Sequence, residues 1–149
     1  PFGEIDEIEE AFDGQSALGD EPMEIDDGTI PRVEPSIPHG MAVILNAPSV
    51  YRFTASACPE RHLDGARSLG ADLRGATPED AGEILAARII EFMQTAQFPN
   101  GLDAVGFNER DLDALVAGAY PQQRVLKNAP RDVSRDDLRH LFGAAMSYW

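Results

Sequence analysis

Three histidines and one cysteine are the residues of this 149-residue chain best suited to bind a metal or to act as a nucleophile. No two of the histidines have the spacing that places a ligand pair on one helix face. His62 and His140 lie in polar stretches of amphipathic segments, so we expect both at the surface. Cys58 has no CxxC partner and precedes Pro59, which favours an inert, half-buried thiol.

His39 differs from the other two histidines because it stands between Pro38 and Gly40, directly before a long apolar segment. Glycine permits close approach of another backbone, and a neutral imidazole at the mouth of a buried helix can ligate a metal in an interior cleft. Position alone leaves open the alternative of a capping or packing histidine. His39 is the one candidate metal ligand, and no residue is a candidate for catalysis or for binding a dinucleotide.

The elements that must position these residues are predicted to be helices. Apolar spacing indicates an all-α bundle of about five helices in residues 38–149, with no alternating strand pattern. Helix starts are expected near Gly40, Glu60, Pro78, Glu109 and Arg135. The first helix, over residues 41–57, is apolar nearly all round, which predicts burial in the domain centre. Pro48 lies inside it and is expected to bend it.

Capping residues and apolar stripes support the later helices. Thr77, Asn108 and Ser134 are predicted N-caps, and Asp137 stands at the third position after Ser134. The long third helix carries an apolar stripe (Ala81, Ile84, Leu85, Ile89, Phe92, Met93, Ala96). Along the last helix a second stripe is predicted to bury Leu138, Phe142 and Trp149 against the first or third helix.

The charge of the chain is concentrated at its beginning. Of the formal net charge of −14, residues 1–36 contribute twelve acids and a single base, Arg32. High charge and frequent proline predict that residues 1–37 form a poorly ordered acidic leader. No basic face suits nucleic acid, and no apolar segment is long enough to span a membrane. An inserted or mis-joined segment without function is the other interpretation of residues 1–36.

The string from His39 to Thr54 resembles the metal-binding helix of iron-containing alcohol dehydrogenases, in which His-Gly is followed by an apolar run and then by Pro-x-Val. Further strings fit the family in the same order: 59–63 (PERHL), 69–72 (LGAD), 100–102 (NGL), 121–124 (PQQR) and 128–131 (NAPR). The strings PERH and PQQR look like the hydroxyacid–oxoacid transhydrogenase branch. The resemblance covers residues 38–149 and identifies them with the C-terminal helical domain of such an enzyme.

The resemblance implies a two-domain enzyme that transfers hydride between a small hydroxy acid or alcohol and an oxo acid or aldehyde. A divalent metal, Fe or Zn, and NAD(P) serve the full-length family, and three histidines and an aspartate hold the metal. Among those ligands only His39 has a counterpart in this chain. Since such sites need at least three protein ligands, neither metal nor dinucleotide is expected to bind tightly, and the isolated chain is expected to be inactive.

The implied partners are a missing N-terminal dinucleotide-binding domain or a complementary subunit, and a second copy of the chain is a further candidate. Nucleic acid and membranes are not expected partners. A non-catalytic helical interaction module derived from the same domain is the alternative function. The single cysteine is compatible with a reducing cytoplasm, and the mitochondrial matrix is the alternative location.

Overall fold

The computed structural model describes residues 37–149, and within that range it is helical with no β-strand. The described range contains six helices: α1 (His39–Thr54), α2 (Pro59–Ser68), α3 (Ala81–Thr95), α4 (Leu112–Ala119), α5 (Gln123–Leu126) and α6 (Arg135–Ala144). The all-α prediction is confirmed, with short 3₁₀ turns leading into α3 and α4 at the expected starts. The leader predicted at residues 1–37 lies, except for Ile37, outside the described residues. Among residues 37–149 no helix combines the length and apolar character that crossing a bilayer requires.

Three of the helix entries are fixed by short-range capping, as the sequence predicts. Thr77, Asn108 and Ser134 each form a capping box with the aspartate three residues later. At α6 the Ser134 hydroxyl accepts from the Asp137 amide at 3.1 Å, while the Asp137 carboxylate accepts from the Ser134 amide at 2.9 Å. These bonds satisfy amides that have no partner inside the helix.

Helix α1 packs most extensively against α3, and the two backbones approach closely. A Cβ atom added to Gly82 of α3 would lie 2.9 Å from the Ala55 Cβ and 3.0 Å from the Arg52 Cα. Leu45 and Met93 are almost completely buried in the core beside this contact. The absence of a side chain at Gly82 is therefore what lets α3 pack against the end of α1.

The prediction that α1 is buried all round is wrong for one of its faces. Leu45, Pro48 and Ser49 are buried, but Val43 is 56% exposed, and Val50 and Tyr51 are each 37% exposed. Apolar character on every side of a helix predicts that each side has a neighbour. Within residues 37–149 the neighbours α3 and α6 cover only part of the surface of α1.

Two aromatic side chains of the predicted stripes are also more exposed than expected. On α3, Leu85, Ile89 and Met93 are buried as predicted, whereas Phe92 is 44% exposed and lies under the Arg88 guanidinium. Trp149 is 47% exposed because α6 ends at Ala144 and helical spacing no longer applies beyond it. Leu138 is buried as predicted, and α6 packs against α4 and α1.

The segment after α6 is held by the turn that follows α3. The Asn100 side-chain oxygen accepts from the Tyr148 amide at 2.8 Å, and its nitrogen donates to the Ser147 hydroxyl and the Trp149 carbonyl. Gly101 has φ of +74°, and a Cβ there would lie 2.2 Å from the Met146 carbonyl oxygen. Only glycine fits this crossing of two backbones.

Candidate functional site

His39 is the first residue of α1, and its side chain is exposed. The helix begins behind Pro38, whose carbonyl accepts from the Ala42 amide at 3.0 Å. Apart from the neighbours of Gly40 in the chain and the nearby backbone of α1, no described residue lies within 4 Å of a Cβ atom built on Gly40. The close backbone approach expected at Gly40 is therefore not made by any residue of the described range, and the start of α1 stands open.

Within residues 37–149, no group of three or more histidine, cysteine, aspartate or glutamate side chains is arranged to hold a metal. His39 is one neutral nitrogen ligand, whereas protein metal sites of the zinc and iron type use at least three protein ligands. The described residues therefore do not fit a complete metal centre.

His62 does not lie at the surface, contrary to expectation. It is 6% exposed, and both ring nitrogens have partners. Nε2 lies 2.9 Å from the Thr54 hydroxyl, and Nδ1 lies 2.9 Å from the Cys58 carbonyl oxygen and 3.6 Å from the Cys58 sulfur. Thr54 and Cys58 precede the ring by eight and four residues, so the turn between α1 and α2 folds around it. His62 thus joins two helices and is not available as a ligand beside His39.

The other predictions for these side chains hold. His140 is exposed, and Cys58 is half-buried. The His140 charge is one of the smaller causes that lower the pKa of Asp137, after its hydrogen bonds with Ser134. His140 lies in a cleft between α1 and α6 that Arg131 also lines. Neither side chain is brought to the His39 end of α1.

Tyr148 meets α1 beside the proline. Pro48 has no N–H, so the helix loses one of its own hydrogen bonds there. The Tyr148 hydroxyl donates to the Leu45 carbonyl at 2.8 Å. Burial raises the pKa of the phenol above its ordinary value of 10. The phenol thus ties the segment after α6 to α1, one residue beyond the Ile44 carbonyl that Pro48 leaves without a helical donor.

The far end of α1 carries an ion pair with α3. The Arg52 guanidinium donates to both carboxylate oxygens of Glu83, at 2.7 and 2.9 Å. These hydrogen bonds raise the pKa of Arg52 and lower the pKa of Glu83. The pair lines a cleft of about 580 Å³, and both side chains are well exposed. Exposed pairs of this kind add little stability, about 0–1 kcal/mol.

The matches to this chain include a solved structure and a protein family. A solved structure titled "Crystal structure analysis of 1,3-propanediol oxidoreductase" matches with a TM-score of 0.61 and 26% sequence identity, over 73% of this chain and 28% of that one. The fold is therefore of the type found in the helical part of an oxidoreductase. Residues 32–146 match the family described as "Fe-containing alcohol dehydrogenase family, C-terminal". The chain belongs to this family and corresponds to its C-terminal part.

Curated relatives agree on a branch of the family. The hydroxyacid-oxoacid transhydrogenase of Xenopus laevis is 47% identical over 115 residues, and that of Homo sapiens is 46% identical over 115 residues. A probable transhydrogenase of Dictyostelium discoideum is 47% identical over 113 residues. These matches cover 76–77% of this chain but 21–25% of the relatives. The chain thus spans about a quarter of the length of these relatives.

Three polar arrangements were not recognised from the sequence. The Thr54–Cys58–His62 spacing of four residues each is a visible signal for a cluster on one side of a helical turn. The contact of Tyr148 with Leu45 crosses about a hundred residues, and no local pattern indicates it. Asn100 lies in a turn motif whose partners likewise come from the distant end of the described chain.

Proposed function

We propose that this chain is the C-terminal helical portion of a metal-dependent alcohol dehydrogenase of the hydroxyacid–oxoacid transhydrogenase type. The complete enzyme transfers hydride between a small hydroxy acid or alcohol and an oxo acid or aldehyde, with NAD(P) as the carrier. Three relatives with that activity in their names support the branch. The observation that carries the proposal is the exposed His39 at the open start of α1.

In this proposal His39 contributes one ligand to a metal centre that other polypeptide completes. An imidazole nitrogen suits iron and zinc alike, and its place at the first residue of a packed helix fixes the direction of approach. A single protein ligand competes poorly with water for the metal ion, so the isolated chain does not bind metal tightly and is inactive. In this proposal the dinucleotide site lies in the partner, so the isolated chain does not bind dinucleotide tightly either.

The exposed face of α1 supports a polypeptide partner. Val43, Ala47 and Val50 follow His39 at intervals of four, four and three residues, which puts all of them on one face of the helix. We define the α1 stripe as Val43, Ala47, Val50 and Tyr51. In the described range Val43 is more than half exposed, Val50 and Tyr51 are each 37% exposed, and Ala47 is half-buried. The partner is a dinucleotide-binding domain or a complementary subunit that covers this stripe and meets His39 at its end.

The proposed location is the mitochondrial matrix. The names of the Xenopus laevis and Homo sapiens relatives include "mitochondrial". Those names do not support the cytoplasmic location expected from the single cysteine. The cysteine itself does not distinguish the two locations, because a reducing matrix also keeps a single thiol free.

Metal titration of the 149-residue chain tests the part of the proposal that concerns His39. Calorimetry with Zn²⁺, and with Fe²⁺ under anaerobic conditions, should give dissociation constants weaker than about 10 µM, as expected for an incomplete ligand set. His39→Ala should remove that binding, and His140→Ala, which also deletes an exposed histidine, should leave it unchanged. Binding tighter than 1 µM, or binding that His39→Ala leaves intact, would contradict the role given to His39.

A further inference from the structure

A groove of about 700 Å³ lies between α1, α2 and α3, with the turn at residues 128–130 along one side. We call it the α1–α2 groove. Its volume is within the range of about 300–1,000 Å³ that small-molecule sites occupy. It begins at Val50, eleven residues after His39, which is about 16 Å along α1. The groove is therefore separate from the start of α1, although two of its lining residues, Val50 and Tyr51, also belong to the α1 stripe.

The floor and walls of the groove are apolar. Leu85 and Ile89 of α3 form a buried floor, at 5% and 7% exposure. Val50, Tyr51 and Leu69 line the walls, and each is 37% exposed. Gly65 has no side chain and therefore leaves the Leu85 methyl groups uncovered. A Cβ atom at this position would lie 3.7 Å from both of them. An apolar ligand body would gain free energy by covering these surfaces and removing them from water.

The polar groups of the groove point to the charge of the ligand. His62 and Thr54 line it but bind each other. On α2, Arg67 pairs with Asp64, whereas Arg61 makes no salt bridge within residues 37–149. Arg61 is exposed at the edge of the groove, so a guanidinium with five donors is free to meet a carboxylate.

Two strings that carry the family resemblance meet in this groove although they lie far apart in the sequence. Arg61 and His62 belong to the string at residues 59–63, and residues 128–130 belong to the string at 128–131. The metal-binding role proposed for His39 uses neither string. Residues of both strings therefore line one groove beside Arg61.

We propose that the α1–α2 groove binds a small amphiphilic monocarboxylate, with the carboxylate on Arg61 and the aliphatic or aromatic body over Leu85 and Ile89. The apolar floor excludes a fully polar acid, and the Arg61 charge selects the acid over a neutral molecule of the same shape. The site is a binding site without chemistry, since its buried polar groups are engaged with one another.

Titration of the ¹⁵N-labelled 149-residue chain with octanoate, followed by NMR, tests the proposal. Amides of residues 50–69 and 85–89 should shift with a dissociation constant of about 1 mM, as suits a small ligand in an open site. Octan-1-ol should bind at least fivefold more weakly, and acetate should produce no saturable shift. Equal affinities for octanoate and octan-1-ol would overturn the assigned role of charge, and no saturable shift by 10 mM octanoate would overturn the site itself.

Two variants and a matched control locate the ligand. Arg61→Gln should weaken octanoate at least fivefold and leave octan-1-ol unchanged. Gly65→Leu places a side chain above Leu85 and should weaken both probes. Arg124→Gln removes another exposed arginine that does not line the groove and should change neither affinity. Circular dichroism checks that each variant folds. A folded Arg61→Gln or Gly65→Leu variant with unchanged octanoate affinity would overturn the proposal.

Discussion

His62 and His140 have similar polar neighbours in the sequence but opposite places in the structure. His62 is buried between α1 and α2, and His140 is exposed on α6. The difference depends on Thr54, whose hydroxyl meets the ring from the previous helix at 2.9 Å. Amphipathic spacing within α2 alone does not contain this information, because it comes from how α1 and α2 fold together. A polar residue type was therefore a poor guide to burial at this position.

Replacement of His62 by alanine should cost about 2–4 kcal/mol of unfolding free energy, because it leaves a cavity and removes one of the two hydrogen-bond partners of the buried Thr54 hydroxyl. His140→Ala is the matched control and should change stability by less than about 0.5 kcal/mol, as for an exposed residue. Urea denaturation followed by circular dichroism measures both. Similar effects of the two variants would show that the buried network contributes no stability.

Tyr148→Phe should destabilise the chain by about 1–2 kcal/mol, since it leaves the Leu45 carbonyl without its phenol donor. Burial raises the pKa of Tyr148, so the folded state holds the phenol proton more tightly than the unfolded state does. This contribution is complete below the unfolded pKa of about 10 and is lost as pH rises through the higher folded value. Tyr148→Phe should therefore show a shallower loss of stability at alkaline pH. An unchanged pH profile in urea denaturation between pH 8 and 11 would contradict the assigned role of the phenol.

Helix boundaries were predictable because they depend on residues close together in the chain. Capping boxes such as Ser134 with Asp137 span four residues, and the structure forms all three that the predicted N-caps allow. The distances between packed helices were not predictable in the same way. The close approach of α1 and α3 at Gly82 depends on which helices pack together, and the sequence around Gly82 does not identify the helix that it contacts.

Two glycine substitutions inside helices should have opposite effects. Gly143→Ala on α6 meets no atom within 4 Å of its added Cβ, so it should stabilise the chain by about 0.5–1 kcal/mol through reduced backbone entropy of the unfolded state. Gly82→Ala places the same methyl group 2.9 Å from Ala55 and should destabilise by about 1–3 kcal/mol. Thermal and urea unfolding compare the pair. Stabilisation by Gly82→Ala would contradict the close packing of α1 and α3.

At the scale of the whole molecule, the sequence predicted an all-α domain and its family but not which surface stays uncovered. An apolar helix surface indicates burial, but its sequence does not identify the residues that cover it. In the described range, α3 and α6 cover one side of α1 and leave the α1 stripe exposed. The same limit applies to the candidate site. His39 was identifiable from its string, whereas the rest of a ligand set is not among the described residues.

The α1 stripe should make the chain self-associate at micromolar concentrations, because two copies can cover each other's apolar surface. Sedimentation velocity from 1 to 100 µM should show a rising sedimentation coefficient. Val43→Ser combined with Val50→Ser should shift the chain toward monomer. Val125→Ser is the control, because Val125 is 54% exposed but lies on α5, away from the stripe. A monomer throughout the range, or equal disruption by the control, would show that the stripe does not drive association.

A chimaera tests the central claim most directly: residues 37–149 replace the matching C-terminal part of the Xenopus laevis transhydrogenase, which is 47% identical to this chain. The purified chimaera should contain about one metal per chain and oxidise a 4-hydroxy acid with reduction of an oxo acid. His39→Ala in the chimaera should lower metal content and reduce turnover at least a hundredfold, as expected when one ligand of a three- or four-ligand site is lost. His140→Ala should change neither. A folded chimaera without metal or activity, or one that keeps both after His39→Ala, would contradict the claim that this chain supplies His39 to the metal centre of such an enzyme.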